Sequence, residues 1–225
     1  MRRILALETS TEYCSVALWQ AGEIISQSTL AGQRHSELLL AMIDQLMHEA
    51  GVKLTQLEGI AFGAGPGSFT GVRIACGVAQ GLALGAGLPV MGVCTLQALA
   101  HDAGHEKIIA ALDARMDEIY FAAYTVQGGM WKTVCEPVLC LPQNAPTLTG
   151  SDWYGVGSGF AAHGAALAAR YGEQLAGVHF TLIPQASAVA QLAAPMFAAG
   201  QGMDAALAMP LYLRDKVALK TAERQ

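Results

Sequence analysis

At 225 residues, with 53% hydrophobic residues and a mean hydropathy of +0.36, the chain is globular, with apolar material for one large domain or two small ones. Its net charge of −5 and its 13 scattered Lys and Arg argue against a nucleic-acid surface of its own, because neutralising phosphates takes clustered cations. No apolar run approaches the ~18 residues of a membrane span, and Met1-Arg2-Arg3 leads straight into a strand without a leader's apolar core, so the cytoplasm is the expected compartment.

In chain order, alternation of Val, Ile, Leu and Trp with small or polar residues predicts strands at about 3–8, 14–20 and 22–28, with Ala21-Gly22 as the second turn. Leu38, Leu39, Met42, Ile43, Leu46 and Met47 recur at helical spacing and predict an amphipathic helix over 35–49, ended near Gly51. A buried strand near 58–63 runs into a glycine loop, followed by a helix over 70–86, a strand over 89–93 and a short helix over 95–102. The second half predicts strands near 107–113, 118–126 and 131–140, with Gly128-Gly129 between the latter two. A strand over 153–156, a helix over 160–171, a strand over 179–183 and a helix over 187–199 complete it. Arg214, Lys216, Lys220 and Arg224 form the one basic cluster and read as an exposed terminal helix in preference to an RNA or partner contact. The five cysteines, at 14, 76, 94, 135 and 140, have neither an even count nor a zinc spacing, which fits a reducing compartment.

Two segments are copies of one another. Residues 4–18 read ILALETSTEYCSVAL and residues 109–123 read IAALDARMDEIYFAA, so a constant offset of 105 puts Asp113 where Glu8 stands. A duplicated strand-acid-turn-strand unit implies two related halves facing one another across a cleft, here 1–103 with the glycine-rich loop and 104–225 as a degenerate copy. No low-complexity linker divides them, so the joint near 103–106 reads as a hinge inside one compact body.

The chemistry centres on GAGPGSFTGVR, residues 63–73. Gly65, Gly67 and Gly71 allow close backbone approach, and Ser68 and Thr70 stand at the mouth of the following helix, where free N–H groups favour an anion. No Lys follows the glycines and GxGxxG spacing fails, so this is neither a Walker A loop nor a dinucleotide fingerprint. The loop alone leaves a phosphate cradle and a plain strand-to-helix turn both open. Glu8, Thr9 and Ser10 supply a complementary acid and hydroxyl turn, which either holds phosphate or caps itself. In the second half the acid is followed by Ala114, Arg115, Met116 and Asp117, a bulky charged turn unable to wrap a phosphate and readable as a hairpin braced by Arg115 with Asp117 or Glu118. GSGFAA at 157–162 matches GxGxxA after a strand, a weak sign of an adenosine-side turn.

These features resemble the actin, sugar kinase and Hsp70 superfamily, which implies a two-lobed α/β, ribonuclease H-like fold. LALETST, RHSELLL, GAGPGSFTGVRIA, LPVMGV, ALDARMDEIY and PLYLRD together resemble the TsaB (YeaZ) family over essentially the whole chain. That resemblance implies a subunit of the machinery that makes N6-threonylcarbamoyladenosine at position 37 of ANN-decoding tRNAs. In that machinery a TsaD-type paralogue holds a metal and transfers the threonylcarbamoyl group from its adenylate, and a TsaE-type subunit supplies ATPase activity. A TsaB-like chain is then a non-catalytic scaffold with no catalytic residue, metal or cofactor of its own. It reaches tRNA only through the complex and forms a homodimer when TsaD is absent, and ATP or ADP at the interface with TsaD stays open. Glu8, Thr9, Ser10, Gly65, Gly67, Ser68, Thr70 and Gly71 would be a vestigial or interface-shared phosphate cradle.

The HxxxH metal pair of TsaD-like proteins falls by position on Thr95 and Leu99, neither a competent ligand. His101 and His105 repeat the spacing six residues late, about 240° round a helix, with Gly104 weakening any helix there. For partner binding, Gly77, Gly81 and Gly85 form a small-residue stripe on one helix. Such a stripe packs internally more often than not, but it also suits close approach by another helix. The helix from Arg34, with His35, Leu38, Leu39 and Met42, carries more apolar surface than one buried face needs. The resemblance implies that these two helices pair with their TsaD counterparts. Two rivals are a glycoprotease-like metallopeptidase, which needs a bound metal, and a free-standing ATP-dependent kinase, which needs a phosphate loop in the second lobe.

Overall fold

A computed structural model of the chain describes residues 2–214. Of the terminal basic cluster only Arg214 falls within that range, and Lys216, Lys220 and Arg224 lie outside the described residues.

The first lobe comprises β1 (Arg3–Glu8), β2 (Tyr13–Gln20), β3 (Glu23–Leu30), α1 (His35–Glu49), β4 (Gly59–Gly65), α2 (Phe69–Ala86), β5 (Val90–Cys94) and α3 (Thr95–His101). Its sheet runs β3-β2-β1-β4-β5, antiparallel along the β1-β2-β3 meander and parallel from β1 through β4 to β5. β1 and β4 lie inside the sheet and are apolar on both faces, whereas edge strand β3 is mostly exposed. Ala21 and Gly22, at φ 52° and 101°, make the two-residue hairpin that right-twisted strands favour.

The second lobe repeats the plan with β6 (Lys107–Asp113), β7 (Ile119–Gln127), β8 (Met130–Cys140), β9 (Trp153–Val156), α4 (Ser158–Tyr171), β10 (Leu175–His179) and α5 (Ala186–Ala198). Its order, β10-β9-β6-β7-β8, is the first sheet's order with each strand replaced by its copy. The fold is thus a duplicated, two-lobed α/β architecture. Glu8 pairs with Ser15 but Asp113 with Ile119, so the turn after the acid spans residues 9–14 in the first lobe and only 114–118 in the second.

Alternate residues of β1 and β2 feed two cores. Leu5, Leu7, Val16 and Leu18 meet Leu39, Ile43, Leu46 and Met47 of α1 and Ala75, Cys76, Ala79 and Ala83 of α2. Ile4, Ala6 and Ala17, with Ala61 and Met91, face the other way, against α5. Helix α5, expected to finish the second half, therefore covers the first sheet. Its Ala186, Ala188, Ala190, Ala193 and Ala194 can lie close on Ala6, Ala17 and Ala61, and Ala186 N donates to Ser15 Oγ at 3.0 Å. Helix α3 joins the lobes, with Ala98 on the first sheet and Leu96, Leu99 and Ala100 packed with Ile108, Ala110, Leu112 and Val156 of the second.

The strand expected over 179–183 is instead β10 at 175–179. Helix α4 ends at Tyr171, a three-residue 3-10 turn follows, and parallel pairing with β9 begins at Leu175 opposite Trp153, which leaves Phe180 beyond the strand and 54% exposed. Another correction concerns α2. At 18 residues with a hydropathy of 1.3 it has the length and composition to cross a membrane, contrary to the expectation that no run comes near it, because small residues keep its average high despite Arg73. It lies on the first sheet, with its Ala75, Cys76, Ala79 and Ala83 buried there.

Candidate functional site

Both lobes line a cleft of about 1140 Å³, with Ser10, Thr11 and the Pro66–Val72 segment on one wall, Asp113–Met116 and the start of α4 on the other, and residues 211–214 alongside. The acid-hydroxyl turn and the glycine loop are in direct contact. Ser68 N donates to Ser10 O at 2.7 Å, and Thr9 Oγ1 donates to Gly71 O at 2.7 Å. A Cβ at Gly71 would lie 1.9 Å from Thr9 O, and one at Gly67 would lie 2.6 Å from Ser10 Cβ. Those two glycines are therefore required by contact between two segments of the chain itself, and they serve the turn before any ligand. Gly65 differs: its φ of +104° lies in a region that favours glycine, and its N–H donates to Thr95 Oγ1 at 3.0 Å.

Ser68 caps α2, its Oγ accepting from Gly71 N at 3.3 Å, so three amide donors of this loop, those of Gly65, Ser68 and Gly71, already have partners within the chain. Thr70, in the first turn of α2, is exposed beside the cleft. Glu8 is 2% exposed; its Oε1 accepts from Ser10 N at 2.5 Å, and a Cβ at residue 63 would lie 1.8 Å from its Oε2, which is why glycine stands there. Burial pushes its carboxyl above the usual carboxylate range, against the opposing pull of the Ser10 hydrogen bonds. The hydroxyls on this wall suit a phosphate, but the spent donors and the buried acid make it an incomplete cradle.

The opposing turn is built differently. Arg115, Met116 and Asp117 all adopt left-handed backbone, at φ 61°, 56° and 59°, strained for residues with side chains. The Arg115 guanidinium pairs with Asp113 at 3.2 Å, to which its own N–H also donates at 2.9 Å, and the expected brace with Glu118 runs through the backbone, Glu118 N donating to Arg115 O at 3.1 Å. The Glu118 carboxylate pairs with Arg214 at 2.7 Å. His163 lies 3.7 Å from Asp113, and Ser158 Oγ accepts from Asp113 N at 3.1 Å. Each arginine on this wall thus stands beside a carboxylate, and the 114–118 turn has no glycine to wrap a phosphate. Neither His163 nor Arg214 was legible from spacing, since both reach the turn from elements distant in sequence.

The positions of the expected metal pair serve packing and backbone. Thr95 is fully buried on Gly65 N, and Leu99 is fully buried in the core between α3 and the second sheet. The later histidines diverge: His101 joins Gln191 Oε1 at 2.8 Å and Trp131 Nε1 at 2.9 Å, whereas His105 stacks on Tyr154 at 3.5 Å and meets His179. Among the described residues no three His, Cys, Asp or Glu side chains gather as a metal site. Burial raises all five thiols, Cys14 and Cys140 to about 11, so none is poised as a thiolate.

The two candidate partner helices lie side by side on one face of the first sheet. Gly77, Gly81 and Gly85 are exposed, and a Cβ at any of them would meet nothing within 4 Å, so the stripe does not pack internally. Leu84 beside them is 59% exposed and Leu40 of α1 is 53% exposed. Arg34 is exposed and pairs with Glu37 at 2.8 Å, and Leu38 and Met42 are half-buried. Two expected interface residues point inward instead. Leu39 is fully buried in the core, and His35 is buried with its Nε2 3.1 Å from Tyr13 O. Leu40, which the sequence reading did not single out, takes the outward position.

Comparison with known proteins bears on this architecture. A family model described as "TsaD: tRNA N6-adenosine threonylcarbamoyltransferase" matches residues 21–221. The Escherichia coli (strain K12) tRNA threonylcarbamoyladenosine biosynthesis protein TsaB is 40% identical over 97% of this chain and 97% of its own. Its Haemophilus influenzae namesake is 37% identical over 96% of this chain and 95% of its own. The solved structure of YeaZ from Pseudomonas aeruginosa superposes with a TM-score of 0.86 at 39% identity, covering 95% of this chain and all of that one. With the duplicated lobes and the glycine loop packed on the acid turn, these matches show that the chain belongs to the TsaB (YeaZ) family of tRNA threonylcarbamoyladenosine biosynthesis proteins.

Proposed function

We propose that this chain is a non-catalytic scaffold that pairs with a TsaD-type paralogue, which transfers threonylcarbamoyl from its adenylate to N6 of adenosine 37 in ANN-decoding tRNA. The observation that carries this reading is the open glycine stripe of α2. Three glycines at successive helical turns, with nothing above them, cost helix stability, a cost that close approach of a partner backbone would offset. Leu84, Leu40, Leu38 and Met42 supply the apolar surface around it. Without the paralogue the same face serves a second copy of the chain.

The cleft supports a subordinate role for nucleotide. Its first wall offers hydroxyls and a helix N-terminus, and its second wall offers carboxylate-paired arginines, so ATP or ADP is held with groups contributed by the partner and not by this chain alone. A TsaE-type subunit supplies ATP turnover. Contact with tRNA comes through the complex, in keeping with the net charge of −5, and the assembly works in the cytoplasm.

Co-purification with the paralogue, followed by nucleotide titration of each component and of the assembly, tests this. A stable heterodimer that gains nucleotide affinity on assembly is expected. Failure to associate, or ATP hydrolysis by the isolated chain, contradicts it.

A further inference from the structure

After α5 the described chain runs over the first lobe as an irregular segment with one short 3-10 turn, Ala205–Leu207. Met203 exchanges two backbone hydrogen bonds with Val90, both 2.9 Å, and Ala205 O accepts from Gln80 Nε2 at 2.9 Å. Farther on, Leu211 N donates to Ala64 O at 2.7 Å, and the Tyr212 ring lies 4.6 Å from the Arg73 guanidinium. These are four successive holds, all on one lobe. The segment then reaches Arg214, which bonds only to the other lobe: Nη2 meets Glu118 Oε2 at 2.7 Å and Ala114 O at 3.1 Å, and Nη1 meets Met116 Sδ at 3.4 Å. Among the described residues Arg214 is this segment's one hydrogen-bonded or ionic hold on the second lobe. What it grips is the turn whose Arg115, Met116 and Asp117 are all left-handed.

The distribution of holds is uneven in a telling way. Helix α3 connects the lobes through buried apolar packing and cannot let go without exposing Leu96 and Leu99. Arg214 connects them through one side chain at the cleft, 15% exposed against 27% for the Glu118 side chain, so the pair is partly shielded from salt yet reachable by solvent. Strained backbone persists where its surroundings over-determine it, and Arg214 adds to the turn's own hydrogen bonds by joining four of its residues, Ala114, Arg115, Met116 and Glu118.

We propose that residues 201–214 are a strap that latches the two lobes across the cleft, with Arg214 as its releasable catch. Breaking the catch frees the turn over 114–118 to relax and lets the lobes part about α3, while the strap stays bound to the first lobe. The inference does not depend on the scaffold reading, since it concerns how this chain holds its own halves together.

Hydrogen exchange and small-angle scattering on the full chain test it, comparing the parent with Arg214→Ala, Arg214→Lys and Glu118→Gln. In Arg214→Ala the amides over 114–119 exchange about tenfold faster or more, those of β1, β4 and α2 keep their rates, and the radius of gyration rises. Arg214→Lys keeps the charge but loses the fork, and Glu118→Gln keeps an acceptor but loses the charge, so both fall between. Unchanged exchange over 114–119 overturns the proposal. So does acceleration spread evenly over both lobes, which marks a general loss of stability, and so does a loosened turn with no increase in radius.

Discussion

Replacing Gly77, Gly81 and Gly85 together by alanine sets two effects against each other. Beyond the helix's own backbone and the chain neighbours, no heavy atom lies within 4 Å of a Cβ placed at any of the three, and none has a positive φ, so no packing in the chain opposes the added methyls. Alanine exceeds glycine in a helix interior by about 0.8–1 kcal/mol, so the triple variant gains about 2–3 kcal/mol. For a chain of this size that corresponds to a rise in Tm of roughly 5–10 °C, at about 2–4 °C per kcal/mol. If a partner helix approaches along this stripe, the same methyls hold it away, and affinity for the TsaD-type paralogue falls tenfold or more, about 1.4 kcal/mol. Because the same face is proposed to pair two copies when the paralogue is absent, calorimetric unfolding of the isolated variant at dilutions where it is monomeric, and titration with the paralogue, read the two effects separately. Loss of stability in the isolated chain means that the stripe is covered. Full affinity in a stabilised variant means that the partner docks elsewhere.

Other substitutions probe the site. Gly71→Ala puts a Cβ 1.9 Å from the Thr9 carbonyl oxygen, and Gly67→Glu strikes Ser10 at 2.6 Å; each is expected to cost about 3 kcal/mol or more in urea unfolding, and an unchanged midpoint refutes the contact. Burial raises the Glu8 carboxyl, so the folded state holds that proton more tightly than the unfolded chain does. Stability from Glu8 is therefore fully present below the unfolded carboxylate pKa and declines as pH rises through the folded one, by about 1.4 kcal/mol per unit of displacement. Glu8→Gln accordingly gains on the parent at pH 8 and loses that advantage at pH 4, whereas parallel pH profiles contradict the assignment. The double variant His101→Ala, His105→Ala loses the Gln191 and Trp131 bonds, at about 1–2 kcal/mol, yet keeps full support of threonylcarbamoyl transfer, which a radiolabel assay reads; abolished transfer implicates those imidazoles in the chemistry.

The order of strands was legible because each reports locally, through apolar runs in β1 and β4 and through two-residue turns at Ala21-Gly22 and Gly128-Gly129. The duplication was legible too, since Glu8 and Asp113 both close the first strand of a sheet. Tertiary choices were not. Helix α2 carries two small-residue stripes about 200° apart, Ala75-Ala79-Ala83 and Gly77-Gly81-Gly85, and spacing does not say which meets the sheet. The alanines do. Helix α1 is apolar on several sides, so His35 and Leu39 looked as available as Leu40 until packing turned them inward. The placement of α5 over the first sheet, and of β10 before the apolar 180–183 run, likewise rests on partners far away in sequence. In the site, the loop glycines were found by composition, but their reason, contact with Thr9 and Ser10, was visible only once the segments met.

The claim that this chain is a needed but non-catalytic partner is tested most directly by transfer of a labelled threonylcarbamoyl group to tRNA, with purified TsaD-type and TsaE-type subunits and with or without this chain. Transfer is expected to depend on its addition and to saturate at a fixed ratio to the paralogue. Transfer at full rate in its absence contradicts the account.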